Sequence, residues 1–181
     1  MKRMTTKEIL AASFREIAER KNIEKITVKD IVENCGYSPA TFYRHFRDKY
    51  DLIAWDYVQE SAVIMGKIGG DYHWRETLLD GAVYYWENRD YIKNLCMHTS
   101  GHNTFIKYMA QTNIAMLKAE VEKGNGGKAP DTETQLLINT YCLGTVALVI
   151  EWISGNIEAT PQEMAVAFED ALPEKLKKCL Y

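Results

Sequence analysis

Residues 27–46, TVKDIVENCGYSPATFYRHF, decide the fold, because they read as two short helices joined by a tight turn. Thr27 precedes an apolar-periodic segment and Asp30 comes three residues later, a variant of the capping box that opens a helix. Ile31 and Val32 face inward. Gly36 comes after the last periodic residue, where a left-handed backbone can end the helix without steric cost. Ser38 is placed to cap a second helix, and Pro39 sits at its first position, where a missing N–H does no harm. That second helix is expected over 39–46, with Phe42 and Phe46 as its buried stripe and Ala40, Thr41, Tyr43, Arg44 and His45 on the other face. Side chains that are small or hydrogen-bonding at the start and larger or basic further on suit a helix whose first turn enters a major groove.

Before this stretch, Ile9, Leu10, Phe14, Ile17 and Ala18 make one stripe on a helix expected over 6–20. Ile23 and Ile26 form a link that plugs the same small core. Three helices in about fifty residues are close to the smallest unit that folds without staples, so this unit leans on residues beyond it in the chain. Asp48, with Asp51 at the third helical position, opens a long helix that runs to Met65 before Gly66, Gly69 and Gly70 break it. Further helices are expected over 71–88, 91–99 and 103–123, with a loop at Ser100-Gly101-His102. Residues 124–130, GNGGKAP, read as an exposed, flexible loop. Two helices close the chain: residues 132–154, apolar nearly all round, and a last helix opened by Thr160-Pro161-Gln162-Glu163 and kinked at Pro173.

The chain is therefore all-α, with domains expected at 1–50 and 51–181. The net charge of −3 hides an asymmetry, since residues 1–50 carry about +4 and the remainder −7. A basic N-terminal part on an acidic body fits a nucleic-acid reader. Cys35, Cys96, Cys142 and Cys179 are far apart and form no CxxC pair, which points to reduced thiols in a cytoplasmic protein. The N-terminus lacks the apolar run of a signal peptide. Asn139, Thr140, Gly144, Thr145 and Glu151 make residues 136–153 too polar for a comfortable membrane span, so a buried helix and no membrane partner are expected. No Ser-His-Asp order, HExxH, P-loop or GxGxxG supports an enzyme, and no cofactor is implied.

The helix before residue 27, together with IVENCGYSPATFYRHFRDKYDLI from Ile31 to Ile53, resembles the DNA-binding domain of bacterial TetR-family transcriptional regulators. The marks are Gly36, the Ser38 cap, Thr41-Phe42-Tyr43, His45-Phe46 and Lys49 opening the fourth helix. The C-terminal pattern of Gly144 to Ile153, Gly155 and Thr160 to Met164 is similar to a subgroup that includes the activator of dihydroxyacetone kinase operons. The resemblance implies a homeodomain-like helix-turn-helix, then a helical ligand-binding and dimerisation domain. It also implies that Thr27, Tyr43, His45 and Lys49 touch phosphates, while Ala40, Thr41 and Arg44 lie near base edges behind Ser38 and Pro39. The role of Tyr37 stays open.

The implied partners are double-stranded operator DNA, a second copy of the chain and a small-molecule effector. Tyr and Trp give a cavity apolar walls with hydrogen-bonding tips, and the candidate lining is Trp55, Tyr85, Trp86, Phe105, Met109 and Tyr141. Helix 132–154 has more apolar surface than one core can cover, so a four-helix dimer interface is expected through Val146, Val149, Ile153, Met164, Phe168 and Leu172. Two other readings stand beside this one. A protein partner could replace the small molecule, or Cys96, His98 and His102 could form a metal- or thiol-dependent sensor, although no fourth ligand is evident.

Overall fold

The computed structural model describes residues 3–68, 72–99 and 105–181. The features expected at Gly69, Gly70, Asp71, Ser100 to His102 and Asn103 lie outside these residues. Among the described residues the regular elements are helices: α1 (Thr6–Ala18), a 3-10 turn (Ile23–Lys25), α2 (Val28–Cys35), α3 (Pro39–Tyr43), α4 (Lys49–Met65), α5 (Trp74–Glu87), α6 (Arg89–Met97), α7 (Phe105–Gly124), α8 (Thr132–Ile153), α9 (Pro161–Ala171) and α10 (Glu174–Leu180). By its contacts the chain divides into two compact units, Met1–Glu60 with Asp90–Phe105, and Ser61–Arg89 with Ile106–Tyr181.

In the first unit, Leu10, Phe14, Ile23, Ile26, Ile31, Val32, Phe42, Leu52 and Ile53 are buried together as the stripe pattern requires. The Ser13 hydroxyl donates to the Ile31 carbonyl at 2.7 Å, tying α1 to α2. Arg15 of α1 makes a two-pronged ion pair with Asp56 of α4 at 2.7 and 2.8 Å, and its second prong also reaches Glu60 at 2.7 Å. Burial pushes the Asp56 carboxyl up, and the Arg15 fork opposes that shift. The unit is not residues 1–50 alone. Tyr91 of α6 sets its ring edge-on to Phe14 at 6.4 Å, Asn94 donates to the Ala18 carbonyl at the end of α1, and Phe105 meets Tyr57 at 5.3 Å. The helices of residues 1–60 leave Phe14 and Tyr57 without these ring partners, and α6 and Phe105 supply them.

In the second unit, α5 lies along α9, and Trp74, Leu117, Val121, Ile138, Tyr141, Cys142, Leu172 and Leu176 form its core. Trp86 stacks on Trp152 with centroids 5.1 Å apart, and Arg89 lies over the Trp86 ring. By length and composition alone α8 would pass for a membrane span, but Ile138, Tyr141, Val146, Val149 and Trp152 are buried in this unit. Pro173 breaks the closing segment into α9 and α10 instead of kinking one helix. The loop at 124–130 is exposed as expected, yet it is a bonded turn, with Gly127 N–H on the Glu122 carbonyl at 2.8 Å. Gly124 serves close packing: a Cβ there would stand 1.8 Å from the Cys179 carbonyl oxygen.

The expected dimer residues require correction. Val146, Val149, Ile153, Met164, Phe168 and Leu172 are all at most 5 % exposed within one chain, because α8 and α9 turn these side chains into their own unit. The large apolar residues that α8 leaves in solvent are Leu136 at 60 % and Leu143 at 55 %, and on α9 Val166 is 57 % exposed.

Caps at i and i+3 hold the helix starts. Glu8 reaches back to Thr5, Asp30 to Thr27, and Glu163 to Thr160. At α2, Asp30 accepts from the Thr27 N–H and hydroxyl, both at 2.7 Å, and from Lys21 at 2.8 Å. Led by the Lys21 hydrogen bond and then by those of Thr27, this arrangement holds the Asp30 carboxyl below its ordinary 3.8. A depressed folded pKa stabilises fully above the unfolded value and is lost as pH falls through the folded one. Asp30→Ala should therefore lower stability by about 1 kcal/mol at neutral pH. In urea melts the gap from the unsubstituted chain should be flat above roughly pH 5 and close in stronger acid; a gap that widens with acid would refute the assignment.

Candidate nucleic-acid interface

The turn between α2 and α3 is built as its residues dictate. Gly36 takes φ 73° and ends α2, the Ser38 hydroxyl accepts from Thr41 N–H, and Pro39 opens α3. The expected helix over 39–46 stops at Tyr43. His45 and Phe46 both bond back to the Phe42 carbonyl, and this tighter turn delivers Phe46 to the core, 5.7 Å from Phe42 and 5.7 Å from Trp55. Phe42 is fully buried, whereas Ala40, Tyr43, Arg44 and His45 are exposed and Thr41 is half-buried.

Hydrogen bonding sorts the nine candidate DNA-contacting residues. Thr27 has given both its N–H and its hydroxyl proton to Asp30. Lys49 directs its ammonium at three backbone carbonyls, Ile23 at 2.7 Å, Glu24 at 2.9 Å and Ile26 at 2.8 Å. An ammonium has three N–H groups, so none is left for a phosphate in this conformation, and Lys49 clamps the 3-10 turn onto the start of α4. Burial is the leading influence and lowers its pKa, with Glu24 foremost among the nearby carboxylates that oppose it. The Ser38 and Thr41 hydroxyls face each other at 3.0 Å. By contrast Tyr43, Arg44 and His45 make no side-chain hydrogen bond or ion pair among the described residues. Arg47 lies outside the expected set, although it comes directly after Phe46 in the same motif. Its side chain is 85 % exposed and only 3.6 Å from Asp51 in a loose pair.

The second unit holds a cavity of about 130 Å³ lined by α4, α5, α7, α8 and α9 residues between Ser61 and Phe168. Of the six candidate lining residues it includes Tyr85 and Tyr141. The other four lie elsewhere: Trp55 packs on Phe46 and under Lys7, Trp86 on Trp152, Phe105 on Tyr57, and Met109 is fully buried. Trp74, Leu78, Asn113 and Met116 line it in their place. Helical spacing from Tyr85 back to Leu78 and Trp74 on α5 is the signal that could have found two of them. Cys142 is also on the wall, and burial pushes its thiol up to about 12.

The Cys96-His98-His102 cluster does not assemble from the described residues, where no group of three His, Cys, Asp or Glu could hold a metal ion. His102 is not among them. Burial pushes the Cys96 thiol up to about 12, away from the thiolate that metals bind, and His98 Nδ1 sits 3.3 Å from the Asn22 amide.

A family described as "Transcriptional regulator C-terminal region" matches residues 72–173, and "Bacterial regulatory proteins, tetR family" matches residues 9–54. The chain belongs to the TetR family. It is thus a DNA-binding transcriptional regulator and not an enzyme. Among its TetR relatives, the dhaKLM operon transcriptional activator DhaS of Lactococcus lactis subsp. lactis (strain IL1403) is 24 % identical over 94 residues, 52 % of this chain and 50 % of that protein. The chain spans about half the length of this curated relative. Solved structures show the same TetR fold along the whole chain. The dihydroxyacetone kinase operon activator DhaS superposes with a TM-score of 0.70 at 18 % identity, covering 95 % of this chain and 96 % of that one. A TetR regulator from Streptococcus agalactiae 2603V gives 0.65 at 16 % identity, with 93 % and 94 % covered. The TetR repressor AlkX from Dietzia sp. strain DQ12-45-1b gives 0.57 at 16 %, with 98 % of each chain covered.

Replacing Lys49 with Met removes a charged donor from three carbonyls and should cost about 1.5–3 kcal/mol in urea unfolding. Arg44→Ala, by comparison, should stay within roughly 0.5 kcal/mol of the unsubstituted chain. Equal stability for both variants would show that the carbonyl clamp holds nothing together.

Proposed function

We propose that this regulator binds a two-fold symmetric operator as a homodimer in the cytoplasm and is controlled by a small molecule held in its second unit. In this reading residues 1–50 carry the DNA contacts and residues 51–181 the effector cavity and the dimer face. The observation that carries it is the sorting of donors on the helix-turn-helix. Thr27 and Lys49 are engaged inside the unit, while Tyr43, Arg44 and His45 stand exposed with their donors uncommitted. Groups of that kind at the end of a reading helix can take phosphate oxygens and base edges. Tyr43 and His45 are assigned to phosphates, and Arg44 to a base edge beside Ala40 and Thr41. Ser38 and Pro39 set the helix start. Arg47 adds exposed positive charge. Thr27 and Lys49 act by fixing the geometry.

Dimerisation is supported by the solvent face of α8. Leu136, Thr140, Leu143, Gly144 and Ala147 are all exposed at helical spacing, and α9 adds Val166 and Ala167. Small residues between two leucines let a two-fold related copy approach closely, and two helices from each copy make a four-helix interface. Such a dimer presents two reading helices to major grooves roughly 34–36 Å apart or a multiple of it. The cavity favours a small molecule over a protein partner as the signal, since it is an apolar hollow within one unit.

An operator selected from a random duplex library would provide the test. Arg44→Ala should weaken binding to the selected site by about 1–3 kcal/mol and to random duplex by much less, with binding falling steeply as salt rises. Equal loss on all sequences would remove the base contact, and no loss on any would remove the DNA-reading role of α3.

A second measurement addresses the dimer. Leu143→Glu with Val166→Glu should give a folded monomer at micromolar concentration with weakened operator binding, because burying four like charges near a two-fold axis costs several kcal/mol. A folded dimer with unchanged mass would place the interface elsewhere.

A further inference from the structure

The cavity in the second unit has a chemical signature of its own. Among the described residues no Asp, Glu, Lys, Arg or His lines it, and against that wall an ionised ligand would enter without a counter-charge, at a high desolvation cost. Most polar groups on its wall are already engaged. The Thr77 hydroxyl donates to the His73 carbonyl, the Thr145 hydroxyl to Cys142, and the Tyr141 hydroxyl to Phe168 at 2.9 Å. Trp74 differs from these. It is only 6 % exposed, it lines the cavity, and among the described residues its indole Nε1 closes no hydrogen bond. Burial is the leading influence on the Tyr141 hydroxyl, and a weak pull from the Trp74 indole N–H opposes it, but that contact falls outside hydrogen-bond geometry, and the Tyr141 hydroxyl is itself turned to the Phe168 carbonyl. An unpaired buried donor is rare, and a ligand acceptor that reaches it recovers an interaction lost on folding.

We propose that this cavity binds a small uncharged molecule of about six to eight non-hydrogen atoms that presents one hydrogen-bond acceptor, such as a ketone, ester or ether oxygen, to the indole N–H of Trp74. The size comes from the volume. About 130 Å³ is close to the roughly 150 Å³ cavity that takes a benzene ring. The remaining wall, including Leu78, Leu117 and Phe168, offers dispersion contacts to a ring or a short chain. Gly81 on α5 bounds the space, and nothing lies within 4 Å of where its Cβ would be. This inference deepens the effector reading above and rests on it only for the consequence at DNA, not for the binding itself.

Three probes of similar shape separate the terms: cyclohexanone, methylenecyclohexane and cyclohexanecarboxylate, titrated into the full chain by calorimetry and by the indole N–H resonances. Cyclohexanone should bind and move the Trp74 indole proton downfield, methylenecyclohexane should bind without that shift, and the carboxylate should not bind. Trp74→Phe should weaken cyclohexanone roughly two- to tenfold and leave methylenecyclohexane unchanged. Gly81→Leu should abolish both, and because leucine favours a helix over glycine this variant keeps the test open if Trp74→Phe fails to fold. Carboxylate binding as tight as the ketone, an unmoved Trp74 proton at saturation, or ketone binding that survives Gly81→Leu would each overturn the proposal. Ketone binding as described with no change in operator affinity would uphold the site and defeat the effector role. Loss of ketone binding in a chain that still holds operator DNA would defeat this inference alone.

Discussion

The ammonium of Lys49 gathers three carbonyl oxygens of the 3-10 turn and its end, those of Ile23, Glu24 and Ile26. The 3-10 turn that carries them also carries the two isoleucines that plug the core, and α2 starts soon after it ends. The start of α2 is in this way indexed to the start of α4. α3 has only five residues and cannot hold itself as an isolated helix; its position is set by the Ser38 cap, by Phe42 and by the turn that seats Phe46. The geometry of the reading face derives from these neighbours, and the first of them is the Lys49 clamp. Partial burial of that ammonium carries a desolvation cost, visible in its lowered pKa, and the carbonyl bonds offset it.

One principle links the two sites. In each, side chains that look alike in the sequence divide into those engaged by the chain itself and those left with an open valence. Thr27 and Lys49 belong to the first group and Tyr43, Arg44 and His45 to the second. In the cavity Thr77, Tyr141 and Thr145 are engaged, and the Trp74 indole closes no hydrogen bond among the described residues. Residue type says what a group can bind, and its existing partners say whether it is available to do so.

The helix-turn-helix was legible because its signals are local. A cap and its partner are three residues apart, a left-handed glycine marks one position, and Phe42 and Phe46 are one turn apart. Which side of α8 faces solvent was not legible. A helix with apolar residues nearly all round does not reveal its phase, so Val149 and Leu143 look equivalent in the sequence, although one is 2 % and the other 55 % exposed. The cavity lining failed for a related reason. Aromatic size predicts burial but not direction, and Trp55, Trp86 and Phe105 found ring partners elsewhere. The unit boundary was hidden because α6 joins the first unit through contacts distant in sequence, such as Asn94 on Ala18.

The composition of residues 124–130 suggests a segment where almost any change is harmless. Gly124 contradicts this by crowding, since the α10 backbone occupies the space a side chain would need, while the residues after it turn away into solvent. For anyone placing a fluorophore, an epitope or a linker in this protein, the boundary between permissive and forbidden therefore changes from one residue to the next. Asn125, Lys128 and Ala129 lie on the open side of it, whereas Gly126 and Gly127 hold the left-handed φ of 67° and 80° that a side chain would strain.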